Sequence, residues 1–166
     1  MRKSEVSFEE FDDLYETELF FERFVDSPHP MPKISSEQAN QLVQMMPLDQ
    51  QVEHYQELKG AGAKLDINLL LEQVEPYTAL QYFYDFVDNG ADINRLAERL
   101  FEDEAFDVFF EDDVIDELLE NGANPDKLFE LCRPAIQNNE DDEEVNTFVN
   151  RFRGYLPNGK LKQFLR

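Results

Sequence analysis

One cysteine, two histidines and few basic residues remove several chemistries from this 166-residue chain before any motif is sought. The lone Cys132 excludes an internal disulfide framework and fits a reducing compartment. His29 and His54 are not at metal-ligand spacing with each other or with Cys132, so no metal is expected. No stretch approaches the roughly 18 uninterrupted apolar residues of a membrane span. Met1-Arg2-Lys3-Ser4-Glu5 has no apolar run behind it, so no secretory leader is expected either. A phosphate loop and a Gly-x-Ser-x-Gly elbow are both missing. Fifteen Lys and Arg stand against thirty-seven Asp and Glu, a net charge of −22. Phosphate contacts need cations, so DNA, RNA and anionic membranes are disfavoured as direct partners. The expectation is a cytoplasmic protein with no cofactor and no catalytic or metal-binding residues.

What is present is enough to fold. The chain is 42% hydrophobic and carries fifteen phenylalanines, so its charge does not make it disordered. Its length suits a single domain over 1–166 with a sizeable core. The charge favours solubility at some cost in self-repulsion.

One short turn is written three times: Gly62-Ala63-Lys64-Leu65-Asp66, Gly90-Ala91-Asp92-Ile93-Asn94 and Gly122-Ala123-Asn124-Pro125-Asp126. Leu58, Phe86 and Leu118 each stand four residues before the glycine. Glycine is the usual residue just past a helix C-terminus, where the backbone turns left-handed. The fifth residue, Asp66, Asn94 or Asp126, is a preferred N-cap for the next helix. Alternating oxygens in Asp88–Asn94 invite a calcium reading, but a calcium loop needs glycine sixth and glutamate twelfth. From Asp88 those places hold Ile93 and Arg99.

A period of about 30 residues follows. The turn glycines are 28 and 32 residues apart, and a degenerate fourth turn at Gly154 lies another 32 on. Pro47, Pro76 and Pro134 stand 29 and 58 apart, each expected to end a short helix, with Ala105 at the skipped place. The short helices are predicted at 36–46, 66–75 and 126–133, and the longer ones at 48–59, 77–89, 106–121 and 144–153. The longer helices carry apolar residues at helical spacing, such as Leu80, Phe83, Tyr84 and Val87. Residues 7–26 open on Ser7 and Glu10 at capping-box spacing and carry an aromatic stripe. They read as a helix capping an array over 34–165, closed off by prolines at 28, 30 and 32. No period-2 strand emerges. The predicted fold is all-α, an α-solenoid-like stack of about four helix pairs.

Leu118-Leu119-Glu120-Asn121-Gly122-Ala123-Asn124-Pro125-Asp126 and Phe86–Asn94 resemble the end of an ankyrin repeat, Leu-Leu-x-x-Gly-Ala-Asp-x-Asn. The likeness covers about nine residues per unit, and the ankyrin Thr-Pro-Leu-His motif is absent. Helical pattern also resumes where ankyrins place a β-hairpin. The chain is more similar to short α-helical bacterial arrays with the same turn. The resemblance implies a scaffold for protein contacts and supplies no catalytic residues.

Acidity concentrates in residues 101–150, which hold seventeen Asp and Glu against two basic residues. Glu111, Asp112, Asp113, Asp116, Glu117 and Glu120 form the expected partner-binding surface, with Asp112, Asp116 and Glu120 in one i,i+4 row and Asp113 with Glu117 in a second. Like charges so spaced cost about 0.2–0.5 kcal/mol per pair. Their spacing along a helix, one charge per roughly 3 Å, is close to that of a DNA strand. A solvated face with nothing bound explains the same residues. Glu140–Glu144 stand at a helix start, where the macrodipole favours them. The tail 151–166 reverses sign, with Arg151, Arg153, Lys160, Lys162 and Arg166, and is expected to dock on the acidic body.

The leading expectation is a non-enzymatic module, monomeric or weakly self-associating. It would bind a basic or nucleic-acid-binding protein, as an inhibitor, immunity protein or nucleic-acid mimic would. The alternative is a scaffold or assembly subunit binding through exposed aromatics such as Phe20, Tyr82 and Phe109. An enzyme comes third, with only carboxylates to act.

Overall fold

The computed structural model describes residues 34–102 and 113–166. The aromatic helix expected at 7–26, His29, Ala105, Phe20, Phe109, Glu111 and Asp112 lie outside them. Among the described residues the secondary structure is helical, with no strand. Eleven helices occur: α1 (Ser36–Met45), α2 (Leu48–Glu53), α3 (Tyr55–Gly60), α4 (Ile67–Gln73), α5 (Pro76–Gln81), α6 (Phe83–Asp88), α7 (Ile93–Leu100), α8 (Val114–Glu120), α9 (Pro125–Asn138), α10 (Asp142–Asn150) and α11 (Asn158–Lys162). They divide into two compact units, one ending at Leu70 and the other running Leu71–Arg166.

Each written turn ends a helix as its sequence predicts. Gly62, Gly90, Gly122 and Gly154 have φ of 99, 83, 93 and 90°, in the left-handed region. At the first three the alanine N–H reaches back five residues, to the carbonyls of Leu58, Phe86 and Leu118. The glycine N–H reaches back three, to Lys59, Val87 and Leu119. This paired closure is the Schellman arrangement, and it occupies carbonyls that a helix end leaves orphaned. At Gly154 the closure is shorter, with Tyr155 and Leu156 both donating to the Phe152 carbonyl.

The starts of the next helices partly depart from expectation. Asp66 caps α4 as predicted, accepting from Asn68 N–H at 2.9 Å and Leu69 N–H at 3.3 Å. In the other two turns the cap falls two residues earlier, on Asp92 and Asn124 rather than Asn94 and Asp126. Asn94 instead links two elements, its Oδ1 accepting from the Asn124 N–H at 2.8 Å and so tying α7 to the following turn. In the first unit Asn40 does the same for the Lys64 N–H, also at 2.8 Å.

The prolines correct the sequence reading once. Pro47 and Pro76 stand at helix starts, where a missing N–H costs nothing. Pro134 does not end its helix, because α9 runs on to Asn138. An interior proline costs about 3 kcal/mol. Burial of Cys132, Ala135 and Ile136 on either side of it outweighs that cost. Two of the longer predicted helices are broken instead at His54 and Tyr82, whose ψ values of 23 and 28° leave the helical region. The 106–121 helix is described only as α8.

In the first unit Ile34, Ala39, Leu42, Met46, Leu58 and Ala63 form one core. Gln51 is the buried polar residue of the described chain, and its Nε2 donates to the Val43 and Met46 carbonyls, both at 2.9 Å. It thereby satisfies the open end of α1. Gln51→Met should lower the unfolding free energy by about 1–3 kcal/mol, the cost of leaving buried acceptors unpaired. Urea melts check this, and a change under about 0.5 kcal/mol would mean that water replaces the amide.

In the second unit α5 packs on α7 and α7 on α9. Phe86, Leu96, Leu100, Ile115, Leu118, Phe129 and Phe152 are among its fully buried large side chains. Arg99 on α7 donates from Nε to the Leu71 carbonyl at 3.0 Å, closing the end of α4.

Candidate interaction surface

Four of the six predicted acidic residues are described, all on or beside α8. Its buried stripe is Ile115, Leu118 and Leu119, so the carboxylates fall on the other sides. Asp113 and Glu120 are exposed, and neither has an ion pair among the described residues. Asp116 and Glu117 are half-buried. Arg151, whose side chain is only 18% exposed, approaches Asp116 at 3.8 Å.

The Tyr84 phenol stands beside Glu117, and the Glu117 charge, then partial desolvation, with Asp113 behind, hold it above its ordinary range. Two of the four carboxylates are therefore engaged within the fold.

The helix start changes the energetics. Because α8 begins at Val114, Asp116 and Glu117 lie in its first turn. Each gains about 0.3–1 kcal/mol from the macrodipole there. That gain matches or exceeds the repulsion of about 0.2–0.5 kcal/mol counted for each like-charged pair. Glu120, at the opposite end, has no such support.

Tyr84 departs most from its sequence reading. Helical spacing assigns it to the core face, yet it is 61% exposed. The buried stripe of α5 and α6 is Ala79, Phe83 and Phe86, at steps of four and three, and Tyr84 stands one place off it. Tyr77, in the first turn of α5, is 75% exposed. The Phe83 ring meets the Tyr84 ring edge-on, with centroids 5.3 Å apart, which limits its motion. Tyr82, expected as an exposed aromatic, is half-buried. On α4 Leu69 is exposed, while Ile67, Leu70 and Leu71 are buried.

The tail docks as its charge predicts. Lys160 reaches Asp126 at 3.1 Å and Glu130 at 3.6 Å, and Arg166 reaches Asp142 at 3.2 Å. Arg166 also donates to the carbonyls of Ile136 at 3.0 Å and Asn139 at 2.6 Å, at the C-terminal end of α9, where a cation suits the dipole. The acidic run 140–144 opens α10, with Asp141 accepting from the Glu144 N–H at 3.0 Å.

Cys132 is fully buried, and burial pushes its thiol up, so it behaves as a small hydrophobe. His54 is half-buried in the break between α2 and α3. No helix among the described residues is long and apolar enough to cross a membrane. Comparison with protein-family models, curated proteins and solved structures found no match for this chain.

Proposed function

We propose that this chain is a non-enzymatic acidic interaction module that docks on a basic protein surface through α8 and the tyrosines beside it. The observation that carries this reading is Tyr84, an exposed ring beside Glu117 and next to open carboxylates at Asp113 and Glu120. Exposed tyrosines anchor interfaces at low entropic cost, and carboxylates around them attract and orient Lys and Arg. Cations also bind the faces of such rings. Within each unit, the repeated turns and the Asn40 or Asn94 link support stacked helix pairs as the scaffold. An inhibitor, immunity protein or nucleic-acid mimic acting in the cytoplasm fits this charge.

The second reading, a scaffold binding through aromatics, is favoured by the exposure of Tyr77 and Tyr84 themselves. One experiment separates the two. The partner captured from the source cell is identified, and its affinity is measured across salt for the triple variant Asp113→Asn, Glu117→Gln, Glu120→Gln and for Tyr77→Ala. The acidic reading expects a basic partner, an affinity falling with salt, and a loss of about tenfold or more in the triple variant. An affinity indifferent to salt and to the triple variant, but lost in Tyr77→Ala, would transfer the function to the scaffold reading.

A further inference from the structure

A second feature of the Leu71–Arg166 unit lies apart from α8. A groove of about 430 Å³ opens between α7 and α9. Its floor is apolar, formed by Ala97, Leu128 and Leu131. Ala97 and Leu128 are buried and Leu131 is half-buried. On the α7 side that floor carries only the Ala97 methyl group. A volume in this range accepts side chains of a ligand rather than a single water.

The rim is charged unevenly. Glu98 stands on the α7 side, and Asp126, Lys127 and Glu130 on the α9 side. Glu98 is exposed and has no ion pair among the described residues. The chain already seats one lysine on the α9 rim: the Lys160 ammonium lies between Asp126 and Glu130, and 5.5 Å from the centre of the Phe129 ring. The Asp126–Glu130 pair therefore already holds one ammonium, and the Glu98 side offers a further, open carboxylate.

We propose that this groove binds a segment of the basic partner that places aliphatic side chains over Ala97, Leu128 and Leu131 and a flanking Lys or Arg on Glu98. This inference rests on the proposed function for the partner's sign of charge, and adds where the partner's apolar residues go. Apolar anchoring with cationic flanks is what an amphipathic basic helix presents to a groove.

The test uses the full chain and two labelled peptides of equal positive charge. One has leucines at helical spacing among lysines, and the other has serine in place of each leucine. Fluorescence anisotropy is read at low and high salt. The groove predicts that the leucine peptide binds more tightly, and that its advantage survives high salt. It also predicts that Glu98→Lys weakens the leucine peptide about five- to tenfold. Glu98 is exposed, so that variant leaves the fold intact, and Leu131→Asn, checked by circular dichroism, should remove the leucine advantage. Equal binding of both peptides, unchanged in Glu98→Lys but lost when Asp113, Glu117 and Glu120 are neutralised, would overturn the groove and leave the proposed function standing. Failure of both peptides to bind at low salt would overturn both.

Discussion

Gly62→Ala should be the most damaging substitution at any of the turn glycines, lowering the unfolding free energy by about 2–4 kcal/mol. Two costs add at this position. The left-handed φ of 99° disfavours any residue with a Cβ, by about 1–2 kcal/mol. A Cβ here would also crowd Ser36 at the start of α1, meeting its Oγ first and then its Cβ at a tight 3.1 Å. The hydroxyl can rotate away, but the Cβ of Ser36 cannot. At Gly90, Gly122 and Gly154 a Cβ meets open space, so their alanine variants should show the conformational cost alone. Gly60 is the last residue of α3 with room around it, and Gly60→Ala should stabilise by up to about 0.5 kcal/mol. Urea melts of the series give the comparison. Adding Ser36→Ala to Gly62→Ala should recover part of the loss, since it deletes the Oγ but not the Cβ. Equal effects at Gly62 and Gly90 would show that α1 does not approach the turn as described.

The turns are legible in the sequence because they are local. Glycine, its preceding apolar residue and the five-residue closure are all set within one stretch of chain, so spacing alone pairs Leu58, Phe86 and Leu118 with their glycines. The N-caps are less legible. Each of the second and third turns offers two candidates, Asp92 or Asn94 and Asn124 or Asp126. The choice depends on a contact from another helix: Asn94 is taken by the next turn, which leaves Asp92 to cap α7. Pro134 misleads for the same reason. Its local preference is to stop a helix, and packing on both sides of it decides otherwise.

The acidic residues of α8 can be found in the sequence, but not their state. That Asp116 faces Arg151, some 35 residues on, and that Glu117 stands beside Tyr84 of another helix, are tertiary facts. Tyr84 is legible in principle. Steps of four and three from Ala79 through Phe83 to Phe86 leave it one place off the buried stripe, but an aromatic among apolar neighbours reads as core. The α7–α9 groove has no sequence signal, since its apolar lining joins Ala97 to Leu128 and Leu131, about 30 residues on.

Phe129→Ala should destabilise the second unit by about 3–5 kcal/mol and loosen the tail with it. The Phe129 ring is fully buried and meets Phe152 edge-on at 5.1 Å and Phe164 at 4.9 Å. Such pairs contribute about 0.5–1.5 kcal/mol each beyond burial. The charges that suggested tail docking weigh less. Asp126, Glu130 and Asp142 are all substantially exposed, and ion pairs of that kind contribute about 0–1 kcal/mol. Lys160→Met should therefore cost less than about 1 kcal/mol, and Phe164→Ala more. A double-mutant cycle between positions 129 and 164 should return a coupling of about 0.5–1.5 kcal/mol that persists at high salt. Guanidinium melts swamp ionic terms and urea melts keep them, so the two denaturants together separate rings from charges. If Phe129→Ala cost under about 1 kcal/mol while Lys160→Met and Arg166→Gln cost more, the tail would be held by charge after all. The opposite outcome makes the aromatic cluster the clasp, and leaves the acidic residues outside it available to a partner.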